Sequence, residues 1–345
     1  MAETDGMVLV MGVTGSGKST FINTLKPNSV PVGYGLESSK SPSCACMAAV
    51  TNVDQSPAPS PPQAVQLFLD DDEEYSVTIV DTPGFDDTYR SDAEVLEEIT
   101  KFLAAQYALK IPLKGIIYLH QIHENKMKGS ARQYLEVFRS LCGDHALGNV
   151  MLVTTRWDRI GPHELGDALR REQELMDKWW GPMQKMGSQV TQFRGSRGEA
   201  EAMILELVRD RPSIVLDIQR ELVDGNKEVG ETKAGRQLGQ QIKAQIEDHE
   251  QLLARLDAEI AEAQRQTNPA AVARLKERRD GVESDTWKLL MKKGGGMNAK
   301  VGAKMKEKVE AVRASRREVL STSISIFAAV LSVTLTVVKF VALGG

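Results

Sequence analysis

A glycine-rich segment that follows the first apolar run of the chain contains the residue types that bind a phosphate chain. Residues 12–20 read GVTGSGKST and match the phosphate-loop pattern GxxxxGKS. Gly12, Gly15 and Gly17 allow a tight turn whose N–H groups approach an anion, because a Cβ would hold them away. The helix that begins near Lys18 directs the positive end of its dipole at the same anion. The segment therefore predicts a nucleotide phosphate site.

Four groups could act on the phosphates and on a metal ion. Lys18 supplies a positive charge for the β- and γ-phosphates, and the Ser19 hydroxyl is placed to bind Mg²⁺. The apolar strand Val77 to Val80 is followed by Asp81. We expect Asp81 to hold the same ion through water, since ligands collect at the carboxyl ends of parallel strands. Gly84 can offer its backbone N–H to a γ-phosphate. An ordinary turn in which Asp81 caps a helix is the alternative.

A third motif could select the base. The apolar strand Val150 to Val153 leads into TTRWD, which is similar to the guanine motif [TN]KxD, with Thr155 at its first position. Asp158 can accept hydrogen bonds from the ring N–H and the exocyclic amine of guanine, which adenine cannot match. Arg156 stands in the place of Lys, and its stem and planar head can pack over the phosphate loop or the base. The motif favours GTP and GDP, with ATP as the alternative.

In their order and spacing these motifs resemble those of the septin-like GTPases. The closest type is the immunity-associated nucleotide-binding one (GIMAP or avirulence-induced), together with related fungal G-domain proteins. The resemblance covers about residues 7–205 and rests on the segments MGVTGSGKSTFINTL, VTIVDTPGFDDT, IIYLHQIHENKMKGSA and LVTTRWDRI. Arg in the Lys place of the guanine motif is typical of this type.

The resemblance implies an α/β G domain, that is, a doubly wound, mostly parallel sheet of the phosphate-loop NTPase class. It assigns Gly15 to Thr20, and so Ser16 and Thr20, to the phosphates, Ser19 to magnesium and Asp158 to guanine. The stretch FRGS, with Gly195 and Ser196, would be the loop behind the base. It also implies that G domains pair as dimers.

Two positions depart from the motifs of related enzymes. The first switch loop should fall in residues 35–41, where Lys40 replaces the usual magnesium-binding Thr. Phe85 stands where Ras-type enzymes have the Gln that orients the attacking water. Because phosphoryl transfer depends on positioning, this loss predicts slow hydrolysis. The alternative is a scaffold in which bound nucleotide is structural and is not hydrolysed.

Alternating apolar and helical patterns place these motifs at strand ends. We expect a doubly wound sheet in residues 1–215, with a helix over residues 93–109 after the second switch, the loop that follows Asp81-Thr82-Pro83-Gly84, and a proline-rich insertion at residues 57–62. The predicted strands are Met7–Met11, Val65–Leu69, Val77–Val80, Gly115–Leu119, Val150–Val153 and Gln189–Phe193.

A helical arm should occupy residues 216–320. Apolar residues recur at spacings of three and four, and the pattern breaks at Thr267-Asn268-Pro269 before a second helix. The apolar positions are Leu238, Ile242, Ile246, Leu253, Leu256, Ile260 and Ala263, and His249 is interpreted as a tolerated polar residue of this seam. Two interpretations stay open at this point: a coiled coil that forms oligomers, and an intramolecular hairpin that packs on the G domain.

The tail, residues 321–345, contains a segment long enough to span a bilayer. Ile324 to Leu343 holds one formal charge, Lys339. Residues 292–317 hold nine basic residues against two glutamates, as on the cytosolic flank of a membrane segment. We expect a tail anchor. A helix buried against the arm and a strand-like pairing segment are the alternatives. Nucleic acid is not expected, because no aromatic stacking platform accompanies the basic run.

The composition fits a cytosolic nucleotide-binding protein. The chain has 345 residues, a net charge of −4 and three cysteines without the spacing of a redox or zinc motif. Its acidic start leads directly into the first strand and shows no signal sequence. We expect a cytoplasmic chain that is anchored to the cytosolic face of a membrane by its tail.

Overall fold

The structure, a computed structural model, describes residues 3–27, 29–30, 62–68, 75–87, 90–123, 129–209 and 211–293. The predicted first switch loop, nearly all of the proline-rich insertion, and the tail with its apolar segment lie outside these residues. No helix within the described part of the chain combines the length and the apolar character needed to cross a membrane.

Within the residues that the structure describes, six strands form one sheet, and all six strand predictions are confirmed with bounds shifted by a few residues. The strands are β1 (Glu3–Gly12), β2 (Gln63–Phe68), β3 (Tyr75–Asp81), β4 (Leu113–Gln121), β5 (Val150–Thr155) and β6 (Gln189–Gln192). Their order is β2-β3-β1-β4-β5-β6. Strand β2 runs antiparallel to β3, and the other neighbours are parallel. The mostly parallel sheet expected of a G domain is therefore present.

Helices cover both faces of the sheet, as a parallel sheet requires. In the described part of the first 215 residues they are α1 (Lys18–Leu25), α2 (Asp92–Ala108), α3 (Gly129–Cys142), α4 (Leu165–Leu175), α5 (Gly181–Lys185) and α6 (Arg197–Val208). The π-helical turn Met176–Trp180 joins α4 to α5.

Alternation along β1 divides the core between the two faces. Met7, Leu9 and Met11 face the cluster that includes residues of α2 and α3, whereas Val8 and Val10 face the cluster that includes residues of α1 and α6. The strand is therefore apolar on both faces from Met7 to Met11. Because parallel strands share a carboxyl edge, the ends of β1, β3, β4 and β5 place the predicted site residues along one edge of the sheet.

The helices that the structure describes between residues 216 and 293 pack against α2 and α3. They are α7 (Asp217–Gln219), α8 (Lys233–Arg265) and α9 (Pro269–Lys293), with the π-helical turn Arg220–Asp224 after α7. The N-terminal half of α8 lies on α3, and its apolar residues Leu238, Ile242 and Ile246 belong to the same core cluster as β1. The division at residue 215, across which this core is continuous, stays a prediction.

Beyond its contact with α3, α8 pairs with α9 as a hairpin that turns at the predicted break. His249 Nδ1 lies 3.1 Å from Thr286 Oγ1 of α9, which fits its interpretation as a tolerated polar residue of the seam. Of the two interpretations of the arm, the structure shows the intramolecular one. Oligomerisation through the arm is not tested.

Candidate nucleotide-binding site

The phosphate loop joins β1 to α1 and is held by contacts that leave no room for a side chain at Gly12. An ideal Cβ there would lie 2.5 Å from the Leu119 carbonyl oxygen and 2.7 Å from Ser16 Oγ, and its φ is +143°. The Thr155 hydroxyl, at the end of β5, donates to the Ser16 carbonyl at 2.6 Å. The base motif is thereby attached to the phosphate loop. Thr20 lies in the first turn of α1, and its carbonyl accepts from the Thr24 hydroxyl at 2.9 Å.

Lys18 occupies the centre of the loop. Its Nζ donates to the carbonyl oxygens of Gly12 at 3.1 Å and Val13 at 3.2 Å, and the side chain is buried. Burial lowers the pKa of Lys18, and the nearby Asp81 carboxylate opposes that shift. A phosphate group at the loop would favour the charged ammonium and give it acceptors stronger than carbonyls.

Ser19 and Asp81 meet although 62 residues separate them. The Ser19 hydroxyl donates to Asp81 Oδ2 at 2.9 Å. Asp81 Oδ1 is buried without a hydrogen-bond partner among the described residues, and burial raises the pKa of this carboxyl. A hydroxyl and a carboxylate are hard oxygen ligands, and a cation beside the second oxygen would favour the ionised form. The pair therefore fits a divalent cation such as Mg²⁺.

Gly84 brings the second switch against the phosphate loop. An ideal Cβ at Gly84 would lie 2.7 Å from Lys18 Nζ, from the Thr14 backbone nitrogen and from Thr14 Oγ1. The Phe85 carbonyl accepts the Thr14 N–H at 2.8 Å. The start of the second switch is thus in direct contact with the loop.

Phe85 points away from this contact, into the core. The side chain is 3% exposed and stacks on Tyr134 of α3, with ring centroids 5.2 Å apart and an interplanar angle of 14°. The Tyr134 hydroxyl donates to Asp92 Oδ2 at 2.9 Å. The position that orients water in Ras-type enzymes is therefore occupied by a core residue that connects the second switch with α3.

Arg156 lies over the phosphate loop, one of the two placements that the sequence predicts. Its backbone has the left-handed φ of 65°, and Nε lies 3.8 Å from the ideal Cβ position of Gly17. Nε is buried without a hydrogen-bond partner among the described residues, and burial lowers the pKa of this guanidinium. Asp158 lies two residues further on, exposed at the turn.

The predicted base loop lies beside this turn. The Phe193 N–H donates to the Thr154 carbonyl at 2.8 Å, and the Arg194 guanidinium lies 5.7 Å from the centre of the Trp157 ring. Gly195 has a φ of +104°. Ser196 caps α6 in a capping box with Glu199, whose Oε2 also accepts the Arg194 N–H at 3.0 Å. The two loops that should enclose a base are therefore adjacent and held in place.

Three further residues behind these loops were missed by the sequence interpretation. Buried Thr154 and Glu172 and half-buried Gln192 form a hydrogen-bonded group between β5, α4 and β6. One signal was available: Ala168, Glu172 and Leu175 share the apolar face of α4, and a glutamate on such a face needs partners.

No protein-family model matches this sequence, and no match was found among curated protein sequences. Solved structures with similar folds include Toc33 from Arabidopsis thaliana in complex with GDP and Mg²⁺, at 17% identity and a TM-score of 0.45, over 62% of this chain and 88% of that one. Era from Aquifex aeolicus bound to GDP·AlF4⁻ has 15% identity and a TM-score of 0.40, over 62% and 58%.

The elongation factor SelB from Methanococcus maripaludis, with a GTP analogue, has 14% identity and a TM-score of 0.35 over 62% of this chain. The matched part is 36% of that elongation factor.

Proposed function

We propose that the chain is a guanine-nucleotide switch that binds GTP or GDP with Mg²⁺ and hydrolyses GTP slowly. The observation that carries the proposal is the convergence, at one edge of the sheet, of buried Lys18, the Ser19–Asp81 pair and the motif that ends in Asp158. Each of the three groups fits a different part of a nucleotide: the phosphates, the metal ion and the base.

Each residue has a role that follows from its position. Lys18 would release the carbonyls of its own loop and bind the β- and γ-phosphates. Ser19 and Asp81 would hold the metal ion, and bound Mg²⁺ supplies charge neutralisation on the phosphates. Gly84 would donate its N–H to the γ-phosphate. Asp158 would accept from the guanine edge, with Arg156 covering the phosphate loop.

Hydrolysis would be slow because the second switch offers no water-orienting side chain at residue 85. The burial of Phe85 against Tyr134 also favours the alternative function, an assembly scaffold that keeps its nucleotide. Single-turnover phosphate release at increasing protein concentration separates the two. Release that accelerates with concentration supports a GTPase activated by dimerisation, and no release at any concentration supports the scaffold.

The finer assignments rest on the sequence. We propose that the chain is a septin-like GTPase of the immunity-associated type, and the support is the set of four motifs and the Arg in the guanine motif. We also propose that it forms homodimers or oligomers and that residues 324–343 anchor it to the cytosolic face of a membrane. Flotation of the full chain with vesicles containing anionic lipid tests the anchor. A chain that ends at residue 320 should float less, and equal flotation of both would refute it.

The nucleotide proposal is tested by titrating the full chain with fluorescent GDP and ADP, with and without Mg²⁺. We expect magnesium-dependent GDP binding and weak ADP binding. Lys18→Ala should abolish tight binding, whereas Lys178→Ala, an exposed lysine paired with Glu174 on the surface, should not change it. Asp158→Asn should weaken GDP binding roughly tenfold or more, because charge-assisted bonds contribute about 1.5–3 kcal/mol each. Unchanged GDP binding in both site variants would refute the proposal.

A further inference from the structure

We infer that Glu172 is a positioning residue that fixes the two guanine-contacting loops relative to each other and so sets base specificity. The inference rests on the proposed function. Glu172 is buried on α4, and each of its carboxylate oxygens accepts a hydrogen bond that leads to a different loop. Its placement therefore connects the turn that carries Asp158 with the loop that carries Arg194.

The first branch leads to the guanine motif. The Thr154 hydroxyl donates to Glu172 Oε1 at 2.7 Å, and the Trp157 indole N–H donates to the same hydroxyl oxygen at 3.1 Å. Trp157 is buried against Ala168 of α4. Since the ring is fixed by packing and by this bond, the backbone of the next residue, Asp158, is held as well.

The second branch leads to the loop behind the base. Gln192 is the register partner of Thr154 in the β5–β6 pair, so both side chains face α4. Its Nε2 donates to Glu172 Oε2 at 2.5 Å, and its Oε1 accepts from Arg194 Nη2 at 2.8 Å and Nε at 3.2 Å. The same Arg194 guanidinium lies over the Trp157 ring, which joins the two branches at their outer ends.

The donor-to-acceptor direction of every hydrogen bond in the two branches depends on the Glu172 carboxylate, which accepts where they meet. The outer ends of the two branches, the Trp157 indole and the Arg194 guanidinium, can only donate hydrogen bonds. Every bond in both branches is therefore donated toward Glu172. A glutamine at residue 172 has one acceptor and one donor group. If the introduced N–H₂ faces Gln192, the Gln192 amide has to turn and place its own N–H₂ against the Arg194 guanidinium. If it faces Thr154, the Thr154 hydroxyl loses its acceptor.

The test compares GDP with IDP, which lacks the exocyclic amine of guanine. A displaced Asp158 loses the bond to that amine, so Glu172→Gln should weaken GDP binding about tenfold, the value of one such bond, and IDP binding much less. The ratio of the IDP dissociation constant to the GDP dissociation constant should therefore fall. Glu174→Gln, an exposed carboxylate two residues along α4, is the matched control and should leave the ratio unchanged.

A second variant, at the outer end of the first branch, separates the positioning role of Glu172 from a general loss of folding in Glu172→Gln. Trp157→Phe removes one donor at the end of the first branch and should also lower the ratio of the IDP to the GDP dissociation constant. Because both changes break one connected group, the double variant should lose less than the sum of the two single effects.

The outcomes separate this inference from the proposed function. If the wild-type chain binds neither GDP nor IDP, the proposed function fails and the inference fails with it. If the wild type prefers GDP and Glu172→Gln keeps that ratio, or weakens both nucleotides equally, the positioning role alone is refuted.

Discussion

Replacing Phe85 by glutamine restores the residue type that orients water in Ras-type enzymes, yet we expect no faster hydrolysis. The reason is the direction of the side chain, which packs against Tyr134 in the core and away from the phosphate loop. The backbone of this residue contacts the loop, through the bond from the Thr14 N–H. The introduced glutamine side chain would have to leave the core to reach a phosphate, and a gap beside Tyr134 would remain.

The free energy of unfolding should therefore fall. Loss of the aromatic pair removes about 0.5–1.5 kcal/mol beyond the area term. Burial of an amide without arranged partners costs about 1–3 kcal/mol. Together these two terms should destabilise Phe85→Gln by about 1.5–4.5 kcal/mol, and Phe85→Leu, which keeps an apolar group of smaller size, should be destabilised by about 1–2 kcal/mol.

Two measurements check this reasoning: urea unfolding of both variants, and phosphate release in a single turnover with saturating Mg²⁺ and GTP. We expect the order wild type, Phe85→Leu, Phe85→Gln in stability and no increase in the rate for either variant. A stable Phe85→Gln chain with a rate well above that of the wild type would refute the argument, because its glutamine would then reach the nucleotide.

Two further changes follow from contacts within the site and the arm. Gly84→Ala places a methyl group against Lys18 and Thr14, so it should weaken GTP binding more than GDP binding, measured by titration; equal weakening would contradict a γ-phosphate role for the Gly84 N–H. Leu238→Ala removes a buried side chain between α8 and α3 and should lower the free energy of unfolding by about 2–5 kcal/mol in urea. Exposed Leu169→Ala is its control and should change it by under about 1 kcal/mol, and a similar loss in both variants would contradict the packing of α8.

Local sequence patterns predicted those parts of the site that lie within a single short segment of the chain. The glycine spacing and the Lys-Ser pair predicted the phosphate loop, because its geometry is encoded within nine residues. The contact between Ser19 and Asp81 was predicted from a general property of parallel sheets, and the structure places Ser19 Oγ 2.9 Å from Asp81 Oδ2. The six strands were found for the same reason as the loop, since each is a short run with its own local pattern.

The contacts that hold Phe85 and Glu172 could not be obtained in this way. The partner of Phe85 lies on a helix far along the chain, and nothing in the local sequence pairs the two rings. The partners of Glu172 lie on two strands whose register decides that Thr154 and Gln192 are neighbours. The packing partner of the arm could not be predicted either, because the same apolar seam is compatible with packing on its own domain and with packing on another chain.

Because α8 packs on α3, part of the apolar core stays uncovered until late in the synthesis of the chain. The six strands of the described residues have been made at Gln192, but the apolar surface that α2 and α3 present to Leu238, Ile242 and Ile246 is covered only when α8 follows. A nascent chain in that interval holds a finished sheet with an uncovered apolar side, which is the kind of surface that chaperones bind and that aggregates form on. We therefore expect premature termination between Gln192 and Ile246 to give products that are retained by chaperones or degraded, even though every residue assigned to the nucleotide site except those of the base loop is already present at Gln192.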